Sequence, residues 1–470
     1  MPTPPPTART LGDLRAAGIS TRRLREEMRA NLLARLRTGE KLFPGILGYD
    51  ESVIPAVENA LLCGHDLIFL GERGQAKSRL IRALVGLLDE WIPAVEGSEI
   101  ADDPFAPVSA YARALVAERG DATPIVWIQR EERYTEKLAT PDVSIADLIG
   151  DVDPVKVARG ATLADELTLH FGLLPRTHRG IFCINELPDL PEKVQVGLFN
   201  VLEERDFQVK GYRVRLPLDV LVVASANPED YTSRGRIITP LKDRYAAQIR
   251  THYPATRELE LAIVLQEVEL PAADGISVHV PRFMQEIVAE ITLQARKSPD
   301  VSQSSGVSVR TSIANYETLV ANALRRAIRL REGEAVPRIS DLPALEPSTL
   351  GKLELEYAGK ERPESELVTE LWRRAVKVVF DEHVPLEGMA GVIESFRQGW
   401  KVEVAADIAA GEYLEGLDEI PGLRDGAARL AGGEEPARVA SAIEFLLEGL
   451  HLSNHLNKTV REGRTLFARA

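Results

Sequence analysis

The chain is poor in cysteine, has no long apolar run and carries no excess of positive charge. Each shortage closes off a class of function. Cys63 and Cys183 are the only cysteines in 470 residues, too few for a disulfide scaffold or a cysteine-based zinc site. Both stand among apolar neighbours, which predicts reduced thiols packed in a core. No apolar stretch reaches the length of a membrane span, and the N-terminus lacks a signal-peptide h-region. No membrane insertion is expected, and the expected location is cytoplasmic. Lys and Arg number 57 against 71 Asp and Glu, a formal net charge of −14. A nucleic-acid partner held by general electrostatics is therefore not expected. What is present is ordinary globular composition, 44% hydrophobic and 27% charged, in a chain long enough for about two to four domains.

Pro2–Arg9 is proline-rich and reads as a mobile tail, followed by a basic amphipathic helical stretch over Leu11–Thr38. From Gly45 to Tyr253 strand and helix patterns alternate, which implies a mainly parallel sheet with helices on both faces. The strand candidates are Leu67–Leu70, Ile125–Gln129, Ile181–Ile184, Val220–Ala224 and Ala247–Arg250. Pro254 opens a helical region that runs through Leu330, and proline-rich Val336–Pro347 reads as a linker. Beyond it, Leu367, Leu371, Ala375 and Val378 line one helix face, and Val439, Ile443, Leu446, Leu447 and Leu450 another. The expected domains are 1–42, a tail and helix; 43–253, an α/β nucleotide-binding domain; 254–340, a helical lid; and 341–470, mainly helical.

The strand Leu67–Leu70 breaks into Gly71-Glu72-Arg73-Gly74-Gln75-Ala76-Lys77-Ser78, with a helical pattern directly after it. The spacing is that of G-x-x-x-x-G-K-[ST], with Ala76 in the second glycine position. Gly71 and Gly74 allow a tight turn whose N–H groups face polyphosphate oxygens. Lys77 reaches the terminal phosphates, and the Ser78 hydroxyl ligates Mg²⁺. A surface lysine after an ordinary turn is the bland alternative; the buried strand and following helix favour nucleotide binding.

A phosphate loop calls for a later strand ending in acidic residues. Ile181–Ile184 followed by Asn185 and Glu186 fits. The usual pair is Asp-Glu, the Asp holding Mg²⁺ through its waters and the Glu polarising the attacking water. Asn185 can still accept from a metal-bound water, but it brings no negative charge. A third strand ends at Asn227-Pro228, where a polar side chain beside Glu186 could orient the water. Arg244, near a helix end, could reach a neighbouring subunit's site, and Arg310 could contact the γ-phosphate from a lid.

Taken in order, these segments resemble the AAA+ ATPases, specifically the group of the magnesium-chelatase ATPase subunit and the MoxR-type ATPases. The carrying segments are Gly71–Ser78, Gly172-Leu-Leu-Pro-Arg-Thr-His178-Arg179-Gly180 leading into Glu186, Ser225–Glu229 and Leu241–Arg244. The resemblance covers about Phe43 to Leu330. It implies a parallel-sheet P-loop core with inserted β-hairpins, a helical lid and a mainly helical C-terminal region. It also implies ATP and Mg²⁺ as cofactors, with Walker A at Gly71–Ser78, Walker B at Ile181–Glu186 and sensor 1 at Asn227. Arg244 would be the arginine finger with Arg236 competing, and Arg310 would be sensor 2. The long stretch Arg130–His178 matches an inserted hairpin, and Asp206–Leu216 a second one.

The expected activity is ATP hydrolysis by a homo-oligomeric ring, expected as a hexamer. It would couple to remodelling or activation of a partner protein, with a von Willebrand A-type domain one candidate for that partner. The alternative is the motor subunit of a magnesium or cobalt chelatase. A sigma-factor activator is disfavoured because its Gly-Ala-Phe-Thr-Gly-Ala loop has no counterpart here. DNA translocation is disfavoured by the acidic balance, despite Lys210, Arg213 and Arg215. Asp142, Asp151 and Asp153 read as a solvated loop, and His451 with His455 as a helix-face pair lacking a third ligand.

Overall fold

A computed structural model describes residues 4–152, 169–208, 215–227, 236–302, 306–354, 363–415, 420–461 and 463–470. The chain divides into two units, Met1–His252 and Tyr253–Ala470.

The first unit is built on five parallel strands: β1 (Leu67–Leu70), β2 (Tyr134–Leu138), β3 (Gly180–Asn185), β4 (Val220–Ala226) and β5 (Ala247–Arg250). Their order across the sheet is β5-β1-β4-β3-β2. A parallel sheet covered on both faces needs apolar side chains pointing both ways, so its inner strands read as continuous apolar runs. Ile181 and Cys183 of β3 join Leu67, Phe69, Leu221 and Val223 on one face. Phe182 and Ile184 join Ile68, Val220, Val222 and Ala224 on the other. The first face is covered by Leu24, Met28 and Leu32 of α1 (Leu24–Thr38) and by Leu80 and Ile81 of α2 (Lys77–Ala83).

Several expectations need correction. Ile125–Gln129 is a strand, but it pairs antiparallel with Trp91–Val95 outside the central sheet. Its expected place is taken by β2, an edge strand whose sequence YTEKL is only half-buried and so lacks an apolar signature. Residues 8 and 9 of the proline-rich stretch are pinned: Ile125 N–H donates to Arg9 O (2.9 Å) and Trp127 Nε1 to Ala8 O (2.9 Å). Leu11–Thr38 is two helices, Leu11–Ala16 and α1. Cys63 is exposed at the end of helix Val53–Cys63; only Cys183 lies in the core.

Two further antiparallel strand pairs lie outside the central sheet. Gly150–Val152 pairs antiparallel with Leu169–Phe171, and Asp206–Gln208 with Arg215–Pro217. Asp153, Lys210, Gly211, Arg213, Pro228 and Glu229 lie outside the described residues.

The His178-Arg179-Gly180 segment locks β3 against the start of β4. Asp219 N–H donates to His178 Nδ1 (3.0 Å), and Arg179 N–H donates to Asp219 O (2.6 Å). A Cβ on Gly180 would lie 2.1 Å from Arg133 O, so no larger residue fits there. Burial pushes the His178 imidazole down to about 4, against an ordinary value of ~6.5. Between those values the unfolded chain binds a proton that the folded one refuses, so stability falls as pH falls through that window. The urea midpoint is expected to drop from pH 7 to pH 4.5. His178→Asn keeps an acceptor but cannot titrate, and should flatten that dependence; an unchanged slope would place its origin elsewhere.

The second unit is mainly helical around one large apolar cluster with two smaller ones beside it. Its main helices are α3 (Arg282–Lys297), α4 (Val309–Leu330), α5 (Glu364–His383) and α6 (Pro436–Leu452). Phe283 stacks on Phe445 at 4.5 Å between ring centroids, and Phe380 meets Phe445 edge-on at 5.8 Å. Gly449 of α6 lets that ring in, since a Cβ there would lie 1.9 Å from Phe380 Cδ2. Val439, Ile443, Leu446, Leu447 and Leu450 are all buried, as are Leu371 and Ala375, whereas Leu367 and Val378 are only partly so. A three-stranded antiparallel sheet, Val402–Ala405, Arg464–Arg469 and Leu456–Arg461, completes the unit. Val336–Pro347 is not a free linker. Arg338 and Asp341 are fully buried, the Arg338 N–H donates to Asp341 Oδ2 (2.7 Å), and Arg326 pairs with Asp341. His451 lies in the last turn of α6, whereas His455 lies beyond the helix, so they do not share a helix face. No described helix is long and apolar enough to cross a membrane.

Candidate functional site

Parallel strands bring their C-terminal ends to one edge, where loops can converge on a ligand. Here β4 lies between β1 and β3, with Leu70 paired to Ala226 and Ile184 to Ala224. The register therefore sets Asn227 between the loop after β1 and Glu186 after β3.

The side chains use that placement. Lys77 Nζ donates to Asn227 Oδ1 (2.6 Å), and Asn227 Nδ2 donates to Glu186 Oε2 (2.8 Å). An ammonium only donates and a carboxylate only accepts, so the orientation of the Asn227 amide is fixed by its two neighbours. Lys77 Nζ also donates to Glu72 O (2.9 Å) and Gly71 O. Three residues far apart in sequence thus form one hydrogen-bonded chain, buried at Lys77 and Asn227.

The loop is shaped for close approach. A Cβ on Gly71 would lie 1.9 Å from Thr251 Oγ1 and 2.2 Å from Gln75 Oε1. Gln75 Oε1 accepts from Thr251 Oγ1 (2.7 Å) and from the Glu72 N–H (3.1 Å). The Tyr49 hydroxyl lies 2.9 Å from both Gln75 O and His252 O. Thr251 and Tyr49 were missed from sequence, because neither belongs to a spaced motif. Gly74 has φ 75° and Ala76 φ 55°. The left-handed conformation costs a non-glycine residue about 1–2 kcal/mol, so the loop keeps its turn at Ala76 against local preference. Glu186 is left-handed as well, with φ 54°, and its N–H donates to Ser225 Oγ (3.2 Å). Strain of this kind collects at functional sites.

Asn185 Nδ2 donates to Glu136 Oε1, and its Oδ1 accepts from Ser225 Oγ (3.3 Å) and from Cys183 Sγ (3.5 Å). Glu136 is clasped by Arg82 through Nε (2.8 Å) and Nη2 (2.9 Å). The Arg82 hydrogen bonds hold its carboxyl below the usual range. Burial pushes the Cys183 thiol up to about 12, so it is no nucleophile. Among the described residues no group of three or more His, Cys, Asp or Glu side chains could hold a metal ion, and Asp142 and Asp151 are exposed.

Over 345 residues the chain is 25% identical to the magnesium-chelatase subunit ChlI of Synechocystis sp., covering 67% of this chain and 89% of that one. The chain is an AAA+ ATPase related to the magnesium-chelatase ATPase subunits. This ATPase is also 26% identical to the magnesium-chelatase 38 kDa subunit of Rhodobacter capsulatus, over 47% of this chain and 59% of that one. The family described as the Sigma-54 interaction domain matches residues 158–242, a short stretch of the first unit. A chain from a complex of the magnesium-chelatase subunits BchI and BchD overlays with a TM-score of 0.37 at 20% identity, covering 69% of this chain and 98% of that one.

The arginines of the ATPase differ in their surroundings. Arg244 donates to Glu203 Oε2 through Nε (2.9 Å) and Nη2, donates to Pro240 O (2.7 Å), and lies 4.4 Å over the Phe199 ring. Arg236 has a side chain 75% exposed, with Glu192 3.9 Å away. Its backbone is fixed, because buried Gln195 donates to Arg236 O (3.1 Å) and accepts from the Ile238 N–H (3.0 Å). Arg310 belongs to the second unit, exposed in the first turn of α4, where its N–H donates to Ser308 Oγ (3.1 Å).

Proposed function

We propose that this ATPase works in the cytoplasm as a homo-oligomeric ring, a hexamer, that uses ATP binding and hydrolysis to remodel or activate a partner protein. The observation that carries the reading is the Lys77–Asn227–Glu186 chain. It joins a cation at the start of α2, a polar relay after β4 and a carboxylate after β3, which the reading takes as phosphate-binding group, relay and water-polarising base.

The donor set suits a Mg²⁺–nucleotide. Gly71 lets the Thr251 and Gln75 side chains pack directly on the loop backbone and hold its turn, which any side chain there would prevent. The Lys77 ammonium, satisfied by loop carbonyls, can give its hydrogens to phosphate oxygens instead. Backbone groups of Gly71–Ser78 would cradle the phosphates, and Ser78, with Asn185 through water, would hold Mg²⁺. The metal supplies charge neutralisation of the phosphates. Glu186 accepts a proton from the attacking water, and Asn227 holds that carboxylate while touching the lysine. Arg236, exposed on a fixed backbone, is the trans finger; Arg244, clasped by Glu203, is a structural residue of its own subunit. Arg310 senses the γ-phosphate.

A second reading, the motor subunit of a magnesium or cobalt chelatase, is favoured by the extent of the match to ChlI. The two readings share every site residue and differ in the partner: a von Willebrand A-type protein for the remodelling reading, a separate metal-inserting subunit for the chelatase. Capture with Glu186→Gln loaded with ATP tests the proposal. The partner should be retained with ATP and lost with ADP; retention indifferent to nucleotide would contradict coupling.

A further inference from the structure

The replacement of the usual Asp by Asn185 leaves an amide that must be held the right way round. An Asp offers acceptors from both oxygens, whereas an Asn serves a metal-bound water only through Oδ1. Glu136, on the neighbouring strand β2, meets that need.

Its carboxylate receives four donors: Arg82 Nη2 (2.9 Å) and Asn185 Nδ2 on Oε1, and Arg82 Nε (2.8 Å) and Tyr134 OH (2.9 Å) on Oε2. A carboxylate has about four lone-pair sites, so this one is fully engaged and fixed. It accepts and never donates, so Asn185 has to turn Nδ2 towards it and Oδ1 away. Oδ1 then lies towards Ser225 Oγ (3.3 Å) and Cys183 Sγ (3.5 Å), one of which a metal-bound water would displace; the Ser225 hydroxyl also receives the Glu186 N–H (3.2 Å). Glu136 is paired with Cys183 in the β2–β3 register, and Cys183 and Asn185 alternate onto the same face.

We infer that Glu136 is a positioning residue, which orients the Asn185 amide so that Oδ1 faces the water shell of nucleotide-bound Mg²⁺. The inference rests on the nucleotide reading above. It also changes what an Asp at position 185 would do. With Glu136 in place, the new carboxylate would meet another where an N–H now donates, and the two would repel. Restoring the usual Asp alone is therefore a poor repair.

The consequence is a reversal of sign. In the native background Glu136→Ala frees the amide to flip, and metal binding weakens. In an Asn185→Asp background the same change removes a repulsive neighbour from a side chain that needs no orienting, and metal binding tightens. A double-mutant cycle isolates that coupling.

The test uses the full chain with ADP and Mn²⁺, a paramagnetic stand-in for Mg²⁺, read by electron paramagnetic resonance. ADP affinity in EDTA is measured alongside. Glu136→Ala should weaken Mn²⁺ binding to the ADP complex about tenfold, while metal-free ADP affinity stays within about twofold. Glu136→Gln keeps one oxygen that can still accept from Asn185 but turns an NH2 towards two of the four donors, so its Mn²⁺ affinity should fall less than that of Glu136→Ala. Glu136→Ala combined with Asn185→Asp should bind Mn²⁺ more tightly than Asn185→Asp alone. Unchanged Mn²⁺ affinity in Glu136→Ala, or an equal loss in both backgrounds, would overturn the positioning role. Failure of the wild-type chain to bind ADP even in EDTA would instead overturn the nucleotide reading itself.

Discussion

Glu186→Gln is expected to bind ATP within about twofold of wild type and to lose turnover by about 10²–10⁴, the usual contribution of a general base. The substitution keeps the side chain's length and an oxygen that can still accept from Asn227 Nδ2, now 2.8 Å from Glu186 Oε2. What it removes, on the proposed role, is basicity towards the attacking water. Calorimetry with ATP and phosphate release measured on the same preparations separate the two effects. Turnover close to wild type would move the base to another carboxylate. A loss of ATP affinity equal to the loss of turnover would make Glu186 a residue of loop architecture, holding Asn227 and through it Lys77.

The larger effect is expected of Arg236, the proposed trans arginine. A neighbour's guanidinium contributes about 10³–10⁵ in rate where such fingers operate, so Arg236→Ala should be nearly inert even in assembled rings. Mixing Arg236→Ala with Glu186→Gln should then recover part of the activity. Some interfaces in the mixed ring combine an intact Glu186 on one subunit with an intact Arg236 on the next. Arg244→Ala mixed in the same way should recover none, because its guanidinium is committed to Glu203, Pro240 and the Phe199 ring of its own chain. Recovery with Arg244→Ala and none with Arg236→Ala would exchange the two roles. Recovery with neither, while both variants assemble as wild type, would end the trans-arginine account.

The sequence was most legible where burial is two-sided. The runs in β1, β3 and β4 are apolar because both faces of those strands are covered, and a run of that kind is easy to find. The edge strand β2 has a neighbour on one side only and carries Glu136 and Lys137 at half-exposed positions, so its pattern was lost beside the more apolar Ile125–Gln129. That one displacement hid the contact between Glu136 and Asn185, which are 49 residues apart. The phosphate loop was legible through spacing, yet the left-handed turn at Ala76 was not, since alanine gives no sign of positive φ. Proline content misled in a different way. Pro337, Pro343 and Pro347 do mark a segment without long helices, but composition says nothing about exposure, and the residues between them are held by buried Arg326, Arg338 and Asp341.

The most direct measurement of the central claim is a calorimetric titration of wild type and Lys77→Ala with ATP in the presence of Mg²⁺. Lys77 is the cation of the Lys77–Asn227–Glu186 chain, and its removal takes away the charge-assisted donor that the proposal aims at the phosphates. Such a donor is worth about 1.5–3 kcal/mol, so affinity should fall by about ten- to a hundredfold. Equal ATP affinity in the two proteins would contradict the account, because nucleotide would then be binding somewhere other than the loop Gly71–Ser78.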